Sequence, residues 1–93
     1  MDRVLTMLDH KVYVTVDLDA FDPAFLPATG TPEPDGMTWR QVNTLFRRVC
    51  REREVVGFDV VELCPNDAHH ASDFFAAKLV HRMLSEVFAV RAR

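Results

Sequence analysis

The chain has 93 residues, 48% of them hydrophobic and 27% charged, with a formal net charge of -3. A chain this short makes at most one small domain, which buries only about 60 to 65% of its unfolded surface, so partners matter to its stability. The acidic balance supplies no basic field for a nucleic-acid backbone. No apolar run approaches the ~20 residues of a membrane-spanning helix. Cys50 and Cys64 lack Cys-x-x-Cys spacing and no secretory leader precedes them, which points to a reduced, cytoplasmic setting.

Val4, Leu5 and Leu8 repeat at loosely helical spacing and read as the tail of a helix. Residues 12–18 follow as a strand, predicted to be buried on both faces. Residues 19–37 form a loop with Pro23, Pro27, Pro32 and Pro34, whose restricted φ stiffens the open chain. Long ordered loops of this kind are commonly functional. Thr38 and Gln41 then form a capping box, predicting a helix over 38–53. Its Val42, Leu45, Phe46, Val49 and Cys50 fall on one stripe. The β-branched run over 55–62 predicts a second strand, also doubly buried. A second helix is expected over 72–91, with Ser72 as N-cap and Asp73 in the first turn. Phe75, Ala76, Leu79, Val80, Met83, Leu84, Val87 and Phe88 predict one broad buried face on it.

Alternating strands and helices predict an α/β domain with parallel strands and right-handed crossovers. Such sheets bind ligands beyond the carboxyl ends of their strands, which is where Asp17, Asp19 and Glu62 fall. Asp17 and Asp19, two apart on a strand, are expected to project from one face. Two like charges at roughly 4 Å repel by about 4 kcal/mol at an effective dielectric of ~20, so the pair calls for a proton or a cation, and a divalent cation is the expectation.

The run Asp17-x-Asp19-x-x-Asp22-Pro23, followed by Pro27-Ala28-Thr29-Gly30-Thr31-Pro32 and Gly36, resembles the ureohydrolase signature of agmatinases, arginases and formiminoglutamases. Phe58-Asp59-Val60-Val61-Glu62-Leu63-Cys64-Pro65 is similar to a later strand of the same family. The resemblance implies the C-terminal part of a three-layer α/β/α fold with a parallel sheet. It implies two Mn ions sharing one water, with Asp17 and Asp19 among the ligands and Glu62 pairing with a guanidinium. The implied reaction releases urea from a guanidino compound, with agmatine favoured by the Glu-Leu-Cys-Pro and Thr-Pro-Glu-Pro segments. Asp22, Thr29 and Thr31 are expected to hold the loop and orient the ligands rather than bind metal.

Thr15, Ala28, Asp35 and Gln41 depart from common family residues (Ser, Gly, Gly and Glu) without removing a ligand. The remaining family ligands, a His and an Asp-x-His-x-Asp motif, belong to an N-terminal half without counterpart in these residues. The chain is therefore expected to be a fragment, a truncated product or one half of a split enzyme, inactive alone. Trimers or hexamers are common in the family, so the complete protein is expected to be a homo-oligomer. The alternative is an inert or association module. Adjacent His69 and His70 are expected to be solvated or to support ligands indirectly, His81 to be structural, Cys64 a small buried hydrophobe and Trp39 to pack over the loop. A haloacid-dehalogenase-type phosphotransferase and a translesion polymerase share the Asp-x-Asp element, but Phe21-Asp22-Pro23 fits neither continuation.

Overall fold

Val12, Val14 and Val16 alternate with Tyr13, Thr15 and Asp17, which gives strand β1 (Lys11–Asp17) one apolar face. In the computed structural model, which describes residues 2–92, that face joins the same apolar core as helix α2 (Trp39–Glu52). Helix α1 (Asp2–Thr6) precedes β1, and strand β2 (Glu54–Val61) and helix α3 (Ala71–Arg91) complete the order. β1 and β2 pair in parallel, from Lys11 opposite Glu54 to Asp17 opposite Val61. The register slips once, at Val12/Tyr13, where β2 accommodates an extra residue.

The capping box closes as its residues require. Gln41 N donates to Thr38 Oγ1 at 3.1 Å, and Thr38 N donates to Gln41 Oε1 at 2.9 Å. Arg53, after the other end of α2, donates to the carbonyls of Leu5 and Leu8, which ties the first helix to the start of the sheet.

The core joins Leu18, Phe21 and Leu26 of the post-strand segment to Leu79 and Met83 of α3, all fully buried. Phe75 of α3 receives Phe21 and Trp39 edge-on, with ring centroids 4.8 and 5.1 Å away. Cys50 lies in the same core, where burial first and Glu86 second push its thiol up to about 11. This is an inert, packed cysteine.

Three expectations need correction. The strands are not covered on both faces: Tyr13 is 60% exposed and Val56 54% exposed, because the helices pack on one side of the two-stranded sheet. Ser72 is not the cap of α3. The helix begins at Ala71 with His70 before it, and Ser72 is buried with its hydroxyl accepting from Ala28 N at 3.2 Å. The buried face of α3 is also narrower than its composition implies. Phe75, Ala76, Leu79 and Met83 pack inward, whereas Leu84 and Phe88 are exposed.

Candidate metal centre at the carboxyl edge

β1 ends at Asp17, and the next three residues, Leu18–Ala20, wind into a 3-10 turn. Leu18 anchors that turn in the core, which fixes where its neighbours lie. Asp19 N donates to Asp17 Oδ1 at 2.9 Å, so the two aspartates are joined by an Asx-type turn. The picture of two carboxylates on one strand face is thereby corrected: Asp19 is in the turn, and the strand has already ended.

Asp19 carries the most informative atom of the site. Its Oδ2 accepts from the Thr31 hydroxyl, while its Oδ1 is buried with no hydrogen-bond partner. Leaving such an acceptor unsatisfied costs about 1–3 kcal/mol, and more when it is charged. A divalent cation taking hard oxygen donors fits this need. Among the described residues no third His, Cys, Asp or Glu converges on the pair, so the chain offers two carboxylates and no complete ligand set.

The long loop is organised by Asp22. Its Oδ1 accepts from Ala24 N at 2.8 Å and its Oδ2 from Gly36 N at 3.1 Å, which pins the start of the loop to its return. Met37 N donates to Ala20 O and Asp22 N to Met37 O, at 2.7 and 3.0 Å. The donated amide of Ala24, and after it those of Gly36 and Asp35, hold the Asp22 carboxyl below the usual carboxylate range. A depressed folded value makes this contribution present above the unfolded pKa of about 3.9 and lost as pH falls through the folded one. Acidification below about pH 4 is therefore expected to loosen the 20–37 loop, and Asp22→Asn to remove that acid-sensitive step. Amide hydrogen exchange at Gly36 and Ala24 across a pH series checks this.

The middle of the loop is clamped to the second strand's end. Cys64 N donates to Ala28 O at 2.8 Å, while Ala28 N donates to Ser72 at the start of α3. Thr29 is buried with an unpartnered hydroxyl, and Thr31 is exposed beside Asp19. The clamp thus carries Thr31 to its carboxylate.

Glu62 follows Val61, the residue paired with Asp17, and is exposed. Its φ of 75° is left-handed, a conformation that costs a residue with a Cβ about 1–2 kcal/mol. Strain of this kind concentrates at functional positions. Glu62→Gly is expected to hold stability within about 1 kcal/mol of the parent, since relief of strain offsets the freer unfolded chain, while removing the carboxylate. Denaturant melts of the variant and the parent check this.

The other sequence candidates do not join the site. His69 is exposed, His70 Nδ1 lies 3.1 Å from Asp73 Oδ2, and His81 is exposed on α3. Trp39 packs on Phe75, and the expectation of a buried Cys64 is corrected: it lies in the segment after β2 as a free, exposed thiol. Sequence reasoning treated Asp59 only as a strand residue, yet it accepts from the hydroxyls of both Tyr13 and Thr15 on the neighbouring strand. The signal was the pairing register, which a single sequence does not display.

The profile of the arginase family matches residues 1–85 of this chain. An N(1)-aminopropylagmatine ureohydrolase from Thermus thermophilus is 46% identical over 84 residues, which is 90% of this chain and 28% of that protein. The structure of proclavaminate amidino hydrolase from Streptomyces clavuligerus superposes with a TM-score of 0.82 at 37% identity, covering 99% of this chain and 31% of that one. A hypothetical agmatinase from Burkholderia thailandensis superposes with a TM-score of 0.83 at 30% identity, over 98% of this chain and 29% of that one. The chain spans under a third of the length of these proteins. The parallel strand pair, the carboxylate-bearing turn after β1 and the left-handed glutamate after β2 thus stand on a shared fold, and the chain belongs to the arginase family.

Proposed function

We propose that these residues supply one part of a ureohydrolase site that hydrolyses a linear guanidino amine to urea and the corresponding amine. Asp17 and Asp19 hold Mn2+ in this reading, and Glu62 receives the guanidinium, whose planar donor fork matches a carboxylate. Bound Mn2+ supplies Lewis acidity and makes water a competent nucleophile near neutral pH. The observation that carries the proposal is the buried, unpartnered Asp19 Oδ1 beside Asp17.

Agmatine is one proposed substrate. N(1)-aminopropylagmatine is the other, since a relative named for it shares 46% identity over most of the chain. Both present the same guanidinium to Glu62 and differ at the far amine. Two carboxylates do not make a binuclear centre, so this chain alone is inactive in our reading. Its partners are the remaining ureohydrolase segment and further subunits of a cytoplasmic homo-oligomer, a trimer or hexamer.

A second reading, association without catalysis, is favoured by the exposed Phe74, Leu84 and Phe88 of α3. Urea release decides between them. With Mn2+ and either guanidino amine, the chain alone is expected to release none, and its complex with an N-terminal ureohydrolase segment to release urea in a manner abolished by Asp19→Ala. Turnover by the isolated chain would overturn the partial-site reading. An inactive complex with retained affinity between the parts would favour association alone.

A further inference from the structure

The two strands that end in Asp17 and Glu62 are tied by one side-chain device on the open face of the sheet. Asp59 stands opposite Thr15 in the parallel register. The Thr15 hydroxyl donates to Asp59 Oδ1, and the Tyr13 hydroxyl donates to Asp59 Oδ2 at 2.9 Å. Both carboxylate oxygens of one residue are thus engaged by alternate residues of the neighbouring strand.

Gly57 makes the second bond possible. A Cβ at Gly57 would lie 2.9 Å from Tyr13 Cε2, so the phenol ring crosses β2 where that strand carries no side chain. The ring then delivers its hydroxyl to Asp59, two residues further on. The Asp59 hydrogen bond, with burial and the Asp59 charge after it, raises the Tyr13 pKa, so the phenol, a donor at neutral pH in any case, stays one further into alkaline solution.

The device sits just beyond the irregularity in the pairing. Val12 pairs with Val55 but Tyr13 with Gly57, so β2 gains one residue at this point. The backbone ladder before the slip therefore does not dictate the register after it. A slip of one residue turns every following side chain to the opposite face. Beyond this point lie Asp17, paired with Val61, and then Glu62.

We infer that Asp59, with Thr15, Tyr13 and Gly57, is a register lock that acts as a positioning element for the carboxyl-edge site. It selects the pairing in which Asp17 stands beside Val61 and Glu62 follows directly. Asp59 touches neither metal nor substrate in this role; it acts through the strand alignment. The inference rests on the metal reading above only for its functional consequence, since the alignment is measurable without metal.

Mn2+ titration of the 93-residue chain, followed by paramagnetic broadening of its amide resonances, is the test, with the Asp17–Val61 cross-strand contact read by NMR in the same samples. The variants are Thr15→Val, which keeps shape and strand preference but loses the donor, Asp59→Asn, and Thr15→Ser, which restores a hydroxyl. Thr15→Val and Asp59→Asn are expected to weaken Mn2+ binding at Asp17 and Asp19 by about 10-fold, the low end for loss of a supporting contact around a metal site. Thr15→Ser is expected to restore it, with melting temperatures nearly unchanged throughout. Equal Mn2+ affinity in all variants overturns the inference. If the parent chain alone binds no Mn2+, the NMR contact by itself decides the lock. Its weakening in Thr15→Val upholds the lock, and its persistence in both disabling variants overturns it.

Discussion

Asp19→Asn is expected to lose divalent-cation binding by about 100-fold or more, roughly 2.7 kcal/mol, while raising the stability of the metal-free chain by about 1 kcal/mol. The two effects have one origin. In the metal-free chain Asp19 Oδ1 is buried without a partner, and only its companion oxygen receives a donor, from Thr31. Replacing the carboxylate with an amide removes a negative charge held beside Asp17, which relieves the fold and abolishes the hard anionic donor. A gain in stability coupled to a loss in function is characteristic of a binding atom held at the fold's expense. Mn2+ broadening of the amides at 17–19 and a denaturant melt without metal measure the two halves. A stability loss on substitution would show that the Asp19 carboxylate serves the fold directly.

Gly36→Ala is expected to destabilise the chain by about 3 kcal/mol, the upper range for forced overpacking. A Cβ there would come within 2.6 Å of Asp22 N, 2.7 Å of Phe21 C and 2.8 Å of Ala20 O. All three are backbone atoms, so no rotamer change relieves the clash. They also belong to the bracket in which Met37 N donates to Ala20 O and Gly36 N donates to Asp22 Oδ2. At 4–8 °C per kcal/mol for a domain of this size, the melting temperature should fall by roughly 12–24 °C. Gly30→Ala is the control, because nothing lies within 4 Å of the place its methyl would take and its φ is not positive. That substitution is expected to leave stability unchanged or raise it by up to about 1 kcal/mol through the unfolded chain. Similar losses at both glycines would contradict the close-approach argument.

What the sequence disclosed was mainly local. The Thr38–Gln41 capping box, the apolar stripe of α2 and the β-branched strands depend on neighbours within a few positions, and each lies within one residue of its expected bounds. That Asp17 and Glu62 follow the same ends of neighbouring strands was legible for a similar reason, since parallel strands bring their ends to one side. The failures were tertiary. Ser72 has the chemistry of a cap, but the approach of Ala28 claims its hydroxyl. Asp19 reads as a strand residue by spacing, yet burial of Leu18 draws the chain into a turn first. Leu84 and Phe88 match a helical apolar stripe whose covering surface is not among these residues. Asp59 gave no signal beyond strand preference, because its role lies in its opposite number, Thr15.

The helix faces left open bear on how the site is completed. Phe74, Leu84 and Phe88 are exposed apolar side chains on α3, the surface on which the association reading rests. A surface that covered the open sheet face would bury Tyr13 and Asp59 with it. Completion of the metal centre and completion of the fold are one event in this account.

Manganese content by elemental analysis, after Mn2+ loading and desalting, tests that account most directly, on the chain alone and on its complex with an N-terminal ureohydrolase segment. Weak ligation by Asp17 and Asp19 alone should not survive desalting, so the account predicts retained metal, near two Mn per assembled site, only in the complex. A stable complex that retains no metal would contradict it, and would leave the Asp17 and Asp19 carboxylates as parts of a fold that binds no metal.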